Sequence, residues 1–394
     1  MTTGHDRGTP AYRRLLAGLF CAGIATFAQL YSPQGVLPQI ADRFRVDAAT
    51  AALTVSASTI GLALAVLPWS FVSDRIGRLR AMTASILGAT IVGAVVPFVP
   101  ALAPLIGLRL VEGALLGGVP ALAVAYLSER VSSASAATAA GTYVAGTTVG
   151  GLLGRSIPPI VADALGWRAG MLGALFVAVA GAVLFVLLTP RDPGARADAV
   201  VPRWSRLLTN LRSPVQWTLY AQAFLLMGGF VALYNYLVFR LRAEPFDVPP
   251  ALAGLLFTAY LAGTWSSAQA GALASRFGRR PVLLAAIGVM GAGVALTIPQ
   301  SLPSVVAGLL ILTAGFFAAH AVASGWTPLA APGGRAQASS LYTLAYYAGS
   351  SIVGYAGGLV FGRFGWTALA CGVMVLAGCA LLLAATGLRR GAIR

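Results

Sequence analysis

The chain has 394 residues, 58% of them hydrophobic and only 10% charged, which leaves far more apolar surface than a soluble fold can bury. That excludes a soluble globular protein and points to a polytopic membrane protein. The net charge of +16 would suggest a nucleic-acid partner in a soluble domain, but all 27 basic residues are Arg and most stand in short segments between apolar runs, so the charge is an orientation signal and no nucleic acid is expected.

A membrane helix needs ~20 apolar residues. Runs of that size recur at residues 15–38, 50–72, 79–99, 102–126, 134–158 and 167–189, and again at 214–239, 249–273, 281–299, 303–326, 336–361 and 365–387. The expected fold is therefore all-α, a polytopic membrane protein with twelve transmembrane helices in two pseudo-symmetric six-helix halves. The halves are expected at 1–189 and 214–394, joined by a cytoplasmic linker at 190–213. That linker is basic and carries Trp204; it reads equally as a lipid-docking amphipathic segment or a solvated tether. Arg7, Arg13 and Arg14 before the first run imitate a secretion signal, yet the run lacks a small-x-small cleavage site and is read as an uncleaved span. The 47 Gly and 22 Pro are packing material that membrane helices tolerate. Cys21, Cys371 and Cys379 fall inside apolar runs and are expected to be free, buried thiols.

Alternating the loops puts nineteen arginines on the side that holds both termini and six on the other, with Arg109 and Arg155 inside spans. Both termini are thus expected in the cytoplasm. Trp69, Trp167, Trp217, Trp326 and Trp366 stand near expected helix ends, where the headgroup layer suits an indole ring.

A charged turn after the second run reads Ser73, Asp74, Arg75, Ile76, Gly77, Arg78, Leu79, Arg80. Arg75, Gly77 and Arg78 recur 201 residues later as Arg276, Gly278 and Arg279. Tyr143 to Gly146 has an echo in Tyr346 to Gly349, and Gly166, Trp167 in Gly365, Trp366, so the repeat covers the whole chain. A Gly at the tip permits a tight turn, and arginines beside it can reach headgroup phosphates.

These residues resemble the major facilitator superfamily, whose two six-helix halves form a parallel repeat. Its turn pattern, Gly-x-Leu-Ala-Asp-Arg-x-Gly-Arg-Lys, is similar to Ser70 through Leu79, with the Asp and the Arg-x-Gly-Arg core kept and Ser70 in place of the leading Gly. The resemblance implies that Asp74, Arg75, Gly77 and Arg78 form a conformational latch; in the second copy Ser275 replaces the Asp, so one strong latch is expected. Arg109 to Gly113 resembles the Arg-x-x-x-Gly pattern of drug:proton antiporters. Gly141, Gly146, Gly150, Gly151 and Gly154 partly match the glycine-rich antiporter motif, where glycines serve helix packing; Arg155 stands where that motif has Pro. The nearest branch is the arabinose-efflux-permease-type, YnfM-like group of bacterial inner-membrane transporters, through Leu226, Met227, Gly228, Tyr234 to Tyr236, Ala262 to Ser267, Gly315 to His320 and Gln337 to Tyr342.

With two His (His5 and His320), 11 carboxylates mostly between spans and no Lys, no enzyme, cofactor or metal is expected, nor is a channel, which would need a filter or polar ring. The resemblance implies a secondary active transporter: proton-coupled efflux of small organic compounds by rocker-switch alternating access in the bacterial inner membrane. A facilitator or importer of a neutral or anionic metabolite is the alternative. The expected partners are the small-molecule substrate, protons and the bilayer, with the protein a monomer. By resemblance spans 1, 4, 7 and 10 line the site, with Gln29, Gln34, Tyr143, Arg155, Tyr234, Asn235, Tyr342 and Tyr346 as cavity candidates or, equally, helix-to-helix hydrogen bonds. Glu112 is the one carboxylate inside an expected span and the leading proton carrier. Arg109, three residues away on the same helix face, is its partner, and His320 is the runner-up carrier. The pair should face the cavity or each other. Arg155 faces the pathway or snorkels to headgroups; if both arginines face the pathway, uncharged or acidic compounds are favoured over permanent cations.

Overall fold

The computed structural model describes residues 9–190 and 204–388. Most of the expected linker, residues 191–203, lies outside the described residues, as do His5, Arg7, Arg389, Arg390 and Arg394. The described residues are helical and contain no strand. In order they form α1 (Pro10–Leu30), α2 (Leu37–Phe44), α3 (Ala48–Ile76), α4 (Arg78–Val95), α5 (Leu102–Leu116), α6 (Gly118–Arg130), α7 (Ser133–Leu188), α8 (Trp204–Leu211), α9 (Pro214–Arg242), α10 (Pro250–Leu255), α11 (Tyr260–Phe277), α12 (Arg279–Leu296), α13 (Leu302–Trp326) and α14 (Arg335–Gly387).

Among the described residues nine helical stretches are long and apolar enough to cross a membrane. Two of them, Ala139–Leu188 and Arg335–Gly387, hold two expected spans each, bent at Gly166 and Gly365. The expected span at 249–273 falls on α10, a short 3-10 turn and α11; Thr264, Ser266, Ser267 and Gln269 make it more polar than the rest.

The repeat is visible in the backbone. α1 and α9 start alike, with Pro at the first helical position and a hydroxyl cap: Thr9 Oγ1 accepts from the Tyr12 amide at 3.2 Å and Ser213 Oγ from the Gln216 amide at 3.4 Å. Both devices satisfy donors that a helix start leaves open. Gly77 (φ 89°, ψ 150°) joins α3 to α4, and Gly278 (φ 92°, ψ 151°) joins α11 to α12 in the same conformation. Gly166 (φ 81°) and Gly365 (φ 76°) form a second matched pair. Such positive φ strains any residue with a Cβ, which is why glycines mark the echo.

The chain divides into two compact units, the described residues of Met1–Gln39 with Ala57–Val200 and those of Ile40–Ser56 with Val201–Arg394. In the first, α1, α4, α6 and α7 enclose a core that includes Leu19, Met82, Tyr126 and Phe185. Helices already in lipid gain little from hydrophobic contact with one another, so their association rests on close packing. Gly146, Gly150 and Gly154, spaced four apart on α7, lie against Phe20, Ile24 and Ala28, spaced four apart on α1; a Cβ on any of them would collide with the opposing carbonyl oxygen. Gly349 of α14 backs onto Phe224 of α9 in the same way in the second unit.

Three expectations are corrected here. Gly141 is not a packing glycine, since nothing lies within 4 Å of where its Cβ would be; five residues before Gly146, it points roughly 140° away from that stripe at ~100° per residue. Cys21 is buried, but Cys371 and Cys379 are exposed, because the lipid-facing side of a spanning helix is as apolar as its protein-facing side. Trp167, Trp326 and Trp366 are buried in protein rather than exposed at helix ends. The Trp366 indole N–H donates to the Thr297 carbonyl at 3.0 Å.

Gly146→Ala is expected to destabilise the protein by about 1–3 kcal/mol through overpacking, while Gly141→Ala is neutral or slightly stabilising through helix propensity. Thermal unfolding in detergent measures both; equal midpoints for the two variants would refute the packing assignment.

Candidate functional site

The first expected span is broken. α1 ends at Leu30, a 3-10 turn covers Gln34–Val36, and α2 starts at Leu37. Pro33 has no amide hydrogen to donate back to the Gln29 carbonyl; the Ser32 amide at 3.2 Å and hydroxyl at 2.9 Å take that carbonyl instead, and the Leu30 carbonyl loses its intrahelical donor. In a bilayer no water is available to take over.

Arg109 of α5 fills that gap. Its Nη1 donates to the Gln29 carbonyl at 3.2 Å and its Nη2 to the Leu30 carbonyl at 2.6 Å. The same Nη1 donates to Glu112 Oε2 at 2.7 Å, with Arg109 wholly buried and Glu112 2% exposed. The Gln29 side chain comes to the same place. Its Nε2 donates to the Ala25 carbonyl at 3.1 Å and to Thr90 Oγ1 at 3.3 Å, whereas its Oε1 has no donor among the described residues. Gly93 of α4 leaves the space for this meeting. A Cβ there would stand 3.0 Å from both Gln29 Oε1 and Glu112 Oε1, which puts those two oxygens at most 6.0 Å apart (twice 3.0 Å).

Arg155 of α7 closes the other side of the break. Its Nε donates to Gln34 Oε1 at 2.5 Å and its Nη1 to the Gly151 carbonyl at 2.7 Å. Its guanidinium lies 3.6 Å from the centre of the Tyr31 ring, a cation–π contact. At 2% exposure it neither snorkels nor lies open, so the expected preference for uncharged or acidic compounds loses one of its two supports.

Tyr143 stands apart, packed in the apolar core of the first unit, its hydroxyl without a partner among the described residues. In the second unit four expected residues join one series of rings. The Tyr234 hydroxyl shares a hydrogen bond with Thr313 Oγ1 at 2.7 Å. Its ring lies 4.8 Å from Phe230, which stacks on Phe316 at 4.1 Å. His320 follows, 5.9 Å from Phe316 and 4.7 Å from Tyr346, with Nδ1 and the Tyr342 hydroxyl 3.0 Å apart. Asn235 is wholly buried and its amide lies near Gly354 instead.

At the charged turn, Arg78 pairs with Glu129 at 2.5 Å, while Asp74 and Arg75 are exposed. Sequence reasoning missed Glu129, whose signal is a carboxylate next to Arg130 on the arginine-rich side. It also missed Thr90 and Gly93, which carry no motif. Arg240 falls outside the expected span 214–239, yet it is buried at the end of α9 and donates to the carbonyls of Thr297, Ile298 and Pro299 in the turn after α12. Among the described residues no three His, Cys, Asp or Glu side chains gather to hold a metal.

The family model of the Major Facilitator Superfamily matches residues 18–244 and 239–392. The chain belongs to this superfamily. It is a membrane transporter and not an enzyme. Among its facilitator relatives, the inner membrane transport protein YnfM of Escherichia coli (strain K12) is 38% identical over 383 residues, 96% of this chain and 91% of that protein. The MFS-type transporter YybF of Bacillus subtilis (strain 168) is 34% identical over 91% of this chain and 90% of its own. A solved bacterial homolog of the human lysosomal transporter Spinster superposes with a TM-score of 0.74 at 16% identity, covering 96% of each chain. That likeness carries the facilitator fold.

Arg109→Met is expected to lower the unfolding midpoint in detergent sharply, because a buried Glu112 left without its partner costs about 3–5 kcal/mol. The double variant Arg109→Met, Glu112→Leu should recover part of that loss and fall short of the parent, since the Leu30 carbonyl stays uncapped. If the double variant is no more stable than the single one, the buried charge is not what the pair offsets.

Proposed function

We propose that this transporter is a proton-coupled exporter of small organic compounds in the inner membrane of a bacterium, working by alternating access with both termini in the cytoplasm. One observation carries the reading: the buried Arg109–Glu112 pair at the broken end of α1. A carboxylate held this far from water is costly and belongs to function by default. When Glu112 takes a proton, its charge is lost and the attraction that shares Arg109 with it disappears. Gln29 Oε1, an acceptor without a donor among the described residues, lies within 6.0 Å (twice 3.0 Å) of Glu112 Oε1, and a side-chain rotation can bring it to the new O–H. Arg109 in turn settles on the Gln29 and Leu30 carbonyls. Proton uptake therefore changes how firmly the end of α1 is held, and a substrate that binds one of those states better exchanges its free energy with the proton.

The aromatic series from Tyr234 to Tyr346 is buried or half-buried here, with several of its rings tilted to one another; its hydroxyls and one imidazole suit small organic compounds with rings in a state that opens it to the pathway. His320 is the second titratable group near it and the rival proton carrier.

In proteoliposomes with an imposed pH gradient, Glu112→Gln is expected to abolish uphill movement of substrate while leaving downhill exchange measurable, and His320→Ala to keep both. If Glu112→Gln still concentrates substrate and His320→Ala does not, the two roles are exchanged.

Asp74 is the proposed latch, exposed in this arrangement and free of the Arg78–Glu129 pair. Asp74→Asn is expected to insert normally and transport little, and Ser275→Ala to be mild; equal transport loss at equal membrane abundance would refute a one-sided latch.

A further inference from the structure

Away from the Arg109–Glu112 site, the second unit carries an open groove between α11, α12 and α13, with a volume of about 520 Å³. Trp265, Leu273 and Phe277 of α11 form one wall, Val289 of α12 the other, and Gly315 and Ala318 of α13 the floor. The small floor residues make the hollow and the large wall residues bound it. Its one polar side chain, Ser266, is already used: its hydroxyl donates to the carbonyls of Gly263 at 3.0 Å and Ala314 at 2.8 Å. The groove therefore offers hydrocarbon contact and nothing else to an occupant. Trp265 is 68% and Phe277 55% exposed, so its walls stand open to the bilayer.

Its length and its ends identify that occupant. From Trp265 to Phe277, α11 rises roughly 18 Å at ~1.5 Å per residue, a little over half of the ~30 Å hydrocarbon core. That is the depth of one leaflet. The Phe277 end is flanked by Arg276, Arg279 and Arg280; Arg276 and Arg279 are exposed. Arg280 donates to the Ala385 carbonyl at 2.7 Å, and its buried Nε has no partner among the described residues. No carboxylate side chain follows Asp247 in the whole sequence. The first repeat differs at this point. There the matching turn carries Asp74, and its Arg78 is paired with Glu129. Ser275 in the second copy leaves the arginine cluster without an acid on its own turn.

We propose that this groove holds an anionic glycerophospholipid of the adjoining leaflet, with one acyl chain between α11 and α12 and the phosphate on Arg276 and Arg279. The apolar groove takes the chain that any phospholipid has, and the arginines select the headgroup by charge. The two parts are separable, which makes the site testable without a transport assay.

The full-length protein in detergent is titrated with phosphatidylglycerol or with phosphatidylcholine of the same chains, and bound lipid is counted by native mass spectrometry. Phosphatidylglycerol is expected to bind roughly 30-fold more tightly, the gain of two arginines at an anionic headgroup. Arg276→Gln with Arg279→Gln should remove that preference, whereas Arg75→Gln with Arg80→Gln in the first repeat should keep it. Ala285→Phe, at an exposed position lining the groove, should weaken both lipids alike, with the unfolding midpoint unchanged. Equal affinity for the two lipids, or a preference that survives the Arg276 and Arg279 changes, overturns the proposal. So does displacement of the lipid by inorganic phosphate, which would mark a bare anion site, or an Ala285→Phe protein that binds as before, which would mark a headgroup contact with no acyl groove.

Discussion

A backbone carbonyl in hydrocarbon has no water to accept from, and the structure is arranged around that cost. Each place where a helix stops inside the membrane region needs donors brought from elsewhere. At the end of α1 Arg109 brings them, and in the turn after α12 Arg240 likewise reaches successive carbonyls with the fork of its guanidinium. Arg suits this task because its donors are fixed in one plane and several can be used at once. The charge it brings must itself be compensated. Glu112 does so for Arg109, and the rings of Phe246 and Trp366 lie beside Arg240 at 5.1 Å and 4.7 Å. At the end of α1 a helix break, an arginine on the Leu30 carbonyl and a carboxylate for that arginine thus stand together in one place.

The two repeats share what the backbone requires and differ in what the side chains do. Hydroxyl caps with Pro at the helix start, positive-φ glycines at the paired turns and the α1–α7 and α9–α14 glycine contacts recur because each solves a local geometric problem that both halves face. The titratable groups do not recur. The first unit holds Arg109, Glu112 and Arg155 around its broken helix; the second holds no buried carboxylate in the corresponding region and a series of aromatic rings instead.

Much of the fold was legible in the sequence, because hydropathy reports spans directly and the Arg-x-Gly-Arg echo reports the repeat. What hydropathy cannot report is which side of a span meets protein, since both sides are apolar. Cys371, Cys379 and Gly141 were misassigned for that reason, and so were Trp167, Trp326 and Trp366 as headgroup anchors. Of the site, Arg109 with Glu112 and Gln34 with Arg155 were named as candidates, since an ionisable or amide side chain in an apolar run is conspicuous. Their arrangement was not legible. Nothing in the spacing says that Gln29 on α1 and Gly93 on α4 meet at Glu112, because that meeting depends on how three helices cross. Arg240 was hidden by its position at a span end, where a loop arginine and a capping arginine look the same.

One residue set therefore serves both stability and coupling in the proposed mechanism. If Arg109 only neutralised Glu112, a hydrophobic pair of similar volume would serve the fold as well or better. Its contact with the Leu30 carbonyl changes that comparison, because removing it also leaves a helix-end acceptor unpaired. The pair is then retained by two demands at once, and the proton acts on the one that can be reversed. Glu112 can gain and lose its charge, whereas Pro33 has no amide hydrogen to give back to α1 in any state. A reversible charge set against a permanent break gives the end of α1 two ways of being held, and that is the minimum a coupled transporter needs from one site.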